Sequence, residues 1–75
     1  MIIGVPTEVK ANERRVGLTP TSVREVVEAG HEVIVQAGAG AGIGKADDVY
    51  LAAGARIAAT ASDVFADAGM IVKVK

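Results

Sequence analysis

Three times along this chain an alanine–glycine pair stands directly before a run of strand-forming residues. Ala29-Gly30 precedes His31-Glu32-Val33-Ile34-Val35-Gln36, Ala53-Gly54 precedes Ala55-Arg56-Ile57-Ala58-Ala59-Thr60, and Ala68-Gly69 precedes Met70-Ile71-Val72-Lys73-Val74-Lys75. A glycine after a helix accepts the left-handed conformation that closes the last turn. Each unit therefore reads helix, glycine stop, strand. The helix starts agree with these stops. Thr19 is an N-cap with Pro20 at the first helical position, where its missing N–H costs nothing. Val23, Val26 and Val27 form one apolar face at helical spacing. Asp47 and Asp48 suit the first turn of a middle helix that carries Val49, Leu51 and Ala52 and stops at Gly54. Thr60 and Asp63 have capping-box spacing, and Val64 with Phe65 is the expected buried side of the third helix.

Met1 to Val5 is a further apolar run, ended by Pro6. The order becomes β-α-β-α-β-α-β, which demands a parallel sheet with helices on its faces and right-handed crossovers. The expected class is α/β, a partial doubly wound parallel sheet of strand order 3-2-1-4. The strands at Ile2–Val5 and Met70–Val74 are apolar on both faces, as buried central strands are. The run at Arg56–Ala58 is short and weak and belongs at an edge.

With 75 residues the chain holds at most one domain. A chain this short buries only about 60% of its unfolded surface, and here alanine and valine supply most of the apolar content. It reads as a piece of something larger. A net charge of −1 with no charged block points away from nucleic-acid and membrane-surface partners. Without cysteine, and with His31 as the single histidine, the composition offers neither a disulfide framework nor a metal site. The amino terminus lacks a signal-peptide pattern, and no apolar run approaches the ~20 residues of a membrane span. A cytoplasmic protein is the expectation.

The stretch Gln36-Ala37-Gly38-Ala39-Gly40-Ala41-Gly42-Ile43-Gly44-Lys45-Ala46 looks like a phosphate loop. Counting from Gly38 or from Gly40, the third glycine of a dinucleotide fingerprint falls on Ile43 or Lys45. As a P-loop, Ala39 stands where the first glycine belongs, and Ala46 where Ser or Thr must follow the lysine. The alternative is a β-to-α connection whose glycines permit positive φ or close chain approach.

In open α/β sheets ligands bind beyond the carboxyl ends of the strands, where strand order reverses. Strand order 3-2-1-4 puts that point between the first and fourth strands. Glu13-Arg14-Arg15-Val16 lies in the connection after the first strand, and Lys75 at the end of the fourth. An arginine and a lysine converging there suit a small carboxylate with an adjacent carbonyl. The guanidinium grips the carboxylate with two parallel hydrogen bonds, and an ammonium beside another cation loses pKa and can polarise a keto oxygen. The competing reading makes Arg14, Arg15 and Lys75 ordinary surface charges. His31 reads as a dipole partner at a helix end, Tyr50 as packing, Glu8 and Lys10 as solvated loop charges, and Lys73 as a snorkelling strand residue.

Longer stretches carry a resemblance. Ile3-Gly4-Val5-Pro6-Thr7-Glu8, Asn12-Glu13-Arg14-Arg15-Val16, Leu18-Thr19-Pro20, Ala29-Gly30-His31-Glu32-Val33, Gly38-Ala39-Gly40, Tyr50, Ala52-Ala53-Gly54-Ala55 and Val72-Lys73-Val74-Lys75 together resemble the amino-terminal part of the alanine dehydrogenases. The resemblance implies a Rossmann-like substrate domain of which residues 1–75 are the amino-terminal part, the cofactor domain lying beyond them. It implies NAD as cofactor, L-alanine and pyruvate as substrates, and a homo-oligomeric complete enzyme. It also implies Arg15 as the substrate-carboxylate ligand and Lys75 as the residue that contacts substrate and aids the chemistry, while Arg14 inherits no role. The 75 residues alone are expected to be inactive. Relatives often carry Ser or Thr near Ala46 as a helix cap, so the middle helix should start less firmly here. The soluble subunit of proton-translocating transhydrogenase shares the module, but commonly replaces the last lysine of Lys-Val-Lys. Lys75 therefore favours the dehydrogenase reading. A non-catalytic assembly module is the third alternative.

Overall fold

The computed structural model describes residues 1–8 and 15–74. The strands are β1 (Ile2–Val5), β2 (Glu32–Gln36), β3 (Arg56–Ala58) and β4 (Met70–Ile71). The helices are α1 (Pro20–Glu28), α2 (Asp47–Ala52) and α3 (Ala61–Asp67), with a 3₁₀ turn at Ala41–Ile43. Every pairing is parallel and the sheet order is β3-β2-β1-β4, as the alternation of elements required. Ile3 lies opposite Val33 on one side and Met70 on the other.

Successive residues of a strand face opposite ways. Ile3 and Val5 of β1, with Val33 and Val35 of β2, join Val23 of α1 and Tyr50 of α2 in the main core. Gly4 and Ile34 face the other side, where α3 lies. A Cβ on Gly4 would stand 2.7 Å from both the Ala68 Cβ and Val64 Cγ1, so the missing side chain lets α3 lie directly on β1.

The helix signals act as expected at most ends. The Thr19 and Thr60 hydroxyls accept the N–H groups of Ser22 and Asp63, each three residues on, at 3.3 and 3.2 Å. Ala46, the N-cap of α2, makes no side-chain cap. Gly30 and Gly54 take positive φ, 98° and 106°, and close α1 and α2.

The third stop works differently. Ala68 is extended, and the Gly69 N–H donates to the Ile2 carbonyl at 2.7 Å, so the chain leaves α3 straight into the sheet. Phe65 is 52% exposed rather than buried, and Val49 and Leu51 are also exposed. A helix turns about 100° per residue, so Val64 and Tyr50 take the inner faces of these short helices and turn their neighbours outward. Among the described residues the fourth strand pairs on one side only, Met70 and Ile71 lying opposite Ile3 and Gly4, and Met70 is 46% exposed.

Gly4→Val should force α3 off the sheet and lower stability by about 1–3 kcal/mol, the usual cost of overpacking a filled core. A denaturant midpoint shifted to lower concentration at unchanged slope would record it.

Candidate functional site at the carboxyl ends of β1 and β4

β1 and β4 are neighbours reached by connections that run opposite ways from the sheet centre, so their carboxyl ends frame the switch point. Beyond β1 the chain passes through buried Pro6 to Thr7 and Glu8. The Thr7 N–H donates to Gln36 Oε1 at 2.9 Å, and the Thr7 hydroxyl donates to the Ala37 carbonyl at 3.4 Å. These bonds hold the exit of β1 against the end of β2. Glu8 Oε2 accepts the Val74 N–H at 2.9 Å, across 66 positions of sequence. Glu8 is therefore no solvated loop charge. It is half-buried and tied to the exit of β4.

The segment leading into α1 returns to the same place. Val16 is buried in the main core. The Gly17 backbone lies so close to the Val72 carbonyl that a Cβ would overlap the oxygen. The Leu18 carbonyl accepts the Tyr50 hydroxyl at 2.8 Å, from a ring with no exposed surface. Arg15, exposed, is thus carried on a backbone anchored through its next three residues. Lys75, Arg14 and Lys10 lie outside the described residues. The structure brings Gly17, two positions after Arg15, against Val72, three positions before Lys75. Lys73 is exposed.

The glycine stretch is filled by the protein itself. Gly38 and Gly44 adopt positive φ, 81° and 74°. A Cβ on Gly40 would meet Tyr50 Cε2 at 2.5 Å and the Lys45 carbonyl at 2.6 Å, so this glycine makes room for the buried ring. The Gly38 N–H, which a phosphate would need, donates instead to Asp47 Oδ1 at 2.9 Å. The stretch is a structural connection. His31 is exposed, and its backbone N–H donates to the Val26 carbonyl at 3.3 Å at the end of α1.

A groove of about 500 Å³ runs between α1 and α2 and takes no lining residue from β1 or β4. Its two cations, Arg24 and Lys45, are solvent-exposed, and Arg24 Nη2 reaches the Ala52 carbonyl at 3.5 Å. Among the described residues no group of three or more histidines and carboxylates could hold a metal ion, and no helix is long and apolar enough to cross a membrane.

The family model described as alanine dehydrogenase/PNT, N-terminal domain, matches residues 4–75. The chain is 55% identical over 75 residues to an alanine dehydrogenase of Methanococcus maripaludis. It is 51% identical over the same 75 residues to one of Mycobacterium tuberculosis. All of this chain is covered in both cases, but only 20% of each relative. Among solved structures, an L-alanine dehydrogenase superposes with a TM-score of 0.93 at 51% identity, over 97% of this chain and 20% of that one. A transhydrogenase from Sinorhizobium meliloti gives 0.90 at 38% identity, over 97% of this chain and 21% of its own.

Burial raises the Tyr50 pKa above its ordinary value of 10, because the tyrosinate would lose its water. The stability that the neutral phenol contributes is present below pH 10 and is lost as pH rises through the higher folded value. Tyr50 is the single tyrosine, so tyrosinate absorbance reports it alone and should titrate above 10 in the folded chain. Tyr50→Phe should remove that alkaline loss and cost about 1 kcal/mol at neutral pH by leaving the Leu18 carbonyl without its partner, measured by chemical denaturation.

Proposed function

The chain belongs to the alanine dehydrogenase/PNT N-terminal domain family, and from that premise we propose that it is the amino-terminal part of the substrate domain of an NAD-dependent L-alanine dehydrogenase. Such an enzyme interconverts L-alanine with pyruvate and ammonia. The supporting observation is the contact of Gly17 with Val72 at the carboxyl ends of β1 and β4. It draws the segment bearing Arg15 and the segment leading to Lys75 to one edge of the sheet.

In this reading the Arg15 guanidinium binds the substrate carboxylate through two parallel hydrogen bonds. The carboxylate is common to alanine and pyruvate, so this contact orients both. The Lys75 ammonium donates to the oxygen of the keto group and favours the negative charge that grows there as the carbonyl is attacked.

The described residues do not fit the dinucleotide. In the glycine stretch the Gly38 N–H is taken by Asp47 and the space over Gly40 by Tyr50. NAD is therefore assigned to a further domain of a longer enzyme, in keeping with a chain that spans 20% of its relatives. That enzyme is read as cytoplasmic and homo-oligomeric. The transhydrogenase similarity supports a second reading, a module of a protein that passes hydride between nicotinamide cofactors. The dehydrogenase reading is favoured by 51% against 38% identity among the superposed structures.

In the full-length polypeptide carrying this segment, Arg15→Ala should raise the KM for pyruvate about a hundredfold, the scale of a lost bidentate charged contact. Unchanged pyruvate kinetics would remove Arg15 from the site. Hydride exchange between NADH and an NADP analogue, with no activity on alanine, would select the transhydrogenase reading.

A further inference from the structure

We propose that Glu8 is a positioning residue, whose carboxylate fixes the segment that leads into Lys75 and so aims the lysine at the substrate. The inference deepens the reading of Lys75 as a substrate contact and rests on it.

The register of β1 against β4 shows which backbone bond the Glu8 side chain replaces. Gly4 lies opposite Ile71, and the Val72 N–H donates to the Gly4 carbonyl at 2.9 Å. In that register the next two bonds would run from the N–H of residue 6 to the Val72 carbonyl, and from the Val74 N–H to the carbonyl of residue 6. Residue 6 is proline and has no N–H, so the first of these bonds cannot form; its carbonyl remains an acceptor, but the Val74 N–H goes to Glu8 instead. Two backbone groups just beyond β4 meet other parts of the chain. The Gly17 backbone packs on the Val72 carbonyl, and Glu8 Oε2 takes the Val74 N–H at 2.9 Å. A carboxylate bonded to a backbone N–H is stronger than the neutral amide bond it replaces.

The clamp lies just past the end of a short strand. β4 holds only two ladder residues and has no strand on its outer side among the described residues. Lysine is a flexible four-carbon stem with a point charge at its tip, so its aim depends on the backbone beneath it. Glu8 holds the peptide immediately before Lys75, and its own backbone is held by Thr7, bonded to Gln36 and Ala37. A chain from the end of β2 through Thr7 and Glu8 to Val74 thus reaches the residue that precedes the lysine.

The test uses the full-length enzyme and two conservative variants that separate reach from charge. Glu8→Gln keeps an acceptor oxygen at the same distance and loses the charge. Glu8→Asp keeps the charge and draws it back by one methylene. If Glu8 acts by holding Val74, kcat/KM for pyruvate should fall about tenfold in Glu8→Asp, the scale of one lost charge-assisted bond, and less, about threefold, in Glu8→Gln, which keeps the bond but not its charge. In a Lys75→Ala background the further change Glu8→Asp should cost little, since a residue acting through Lys75 has nothing left to aim.

Thermal midpoints are measured alongside. An activity loss that tracks a falling midpoint and adds fully to Lys75→Ala would make Glu8 merely structural and overturn the proposal. So would the reverse order, with Glu8→Gln impaired and Glu8→Asp active. If Lys75→Ala is impaired while both Glu8 variants match the parent, Glu8 alone is wrong. If Lys75→Ala itself leaves pyruvate kinetics unchanged, the substrate-site reading fails and takes this inference with it.

Discussion

The parallel ladder on both sides of β1 constrains the rest of the molecule. Parallel neighbours cannot be joined by a tight turn, so each must be reached through a crossing helix, and all carboxyl ends then share one edge. β1 is paired on both sides, with β2 and β4, as β2 is with β1 and β3. It is also covered on both faces: Ile3 and Val5 meet the α1 and α2 layer, and Gly4 meets α3. Moving β1 would disturb both helical layers at once. Whatever projects from its carboxyl end is carried by a strand held on both edges and both faces.

Tyr50 links the glycine stretch to that edge. Gly40 makes room for the ring, the ring fills the core, and its hydroxyl holds the Leu18 carbonyl three positions after Arg15. A stretch that resembles a phosphate loop therefore contributes to the site only by packing. Its polar capacity is spent internally, Gly38 on Asp47, and this separates a glycine-rich connection from a ligand cradle. The same short helix that lacks a side-chain cap at Ala46 is thereby tied down by Asp47 at its start and by Tyr50 at its centre.

Local rules carried much of the fold. Thr19, Pro20, Gly30, Gly54 and Thr60 act within a few residues of themselves, so their meaning survives in any tertiary setting. The alternation of elements then left few topologies, and the strand order 3-2-1-4 followed. Where neighbouring apolar residues compete for one helix face, composition is silent. Nothing in Val64-Phe65 or Val49-Tyr50-Leu51 says which one points inward; that depends on where the sheet lies. Gly69 fails as a helix stop for a similar reason, since the Ile2 carbonyl is waiting to pair its N–H.

The candidate site divides in the same way. Arg15 and Lys75 could be proposed from sequence because their residue types suit a keto acid and the family resemblance extends over the whole chain. Glu8 was not legible: its partner is a backbone N–H 66 positions away, and an exposed loop glutamate would carry the same letter. By itself the sequence determined element types, their order and the sheet topology, because caps, stops and the parallel-crossover rule all act locally or on chain connectivity. Only the tertiary structure decided that Gly17 lies on Val72 and that Glu8 takes the Val74 amide, because a backbone group leaving a strand is paired by whatever the fold brings within reach.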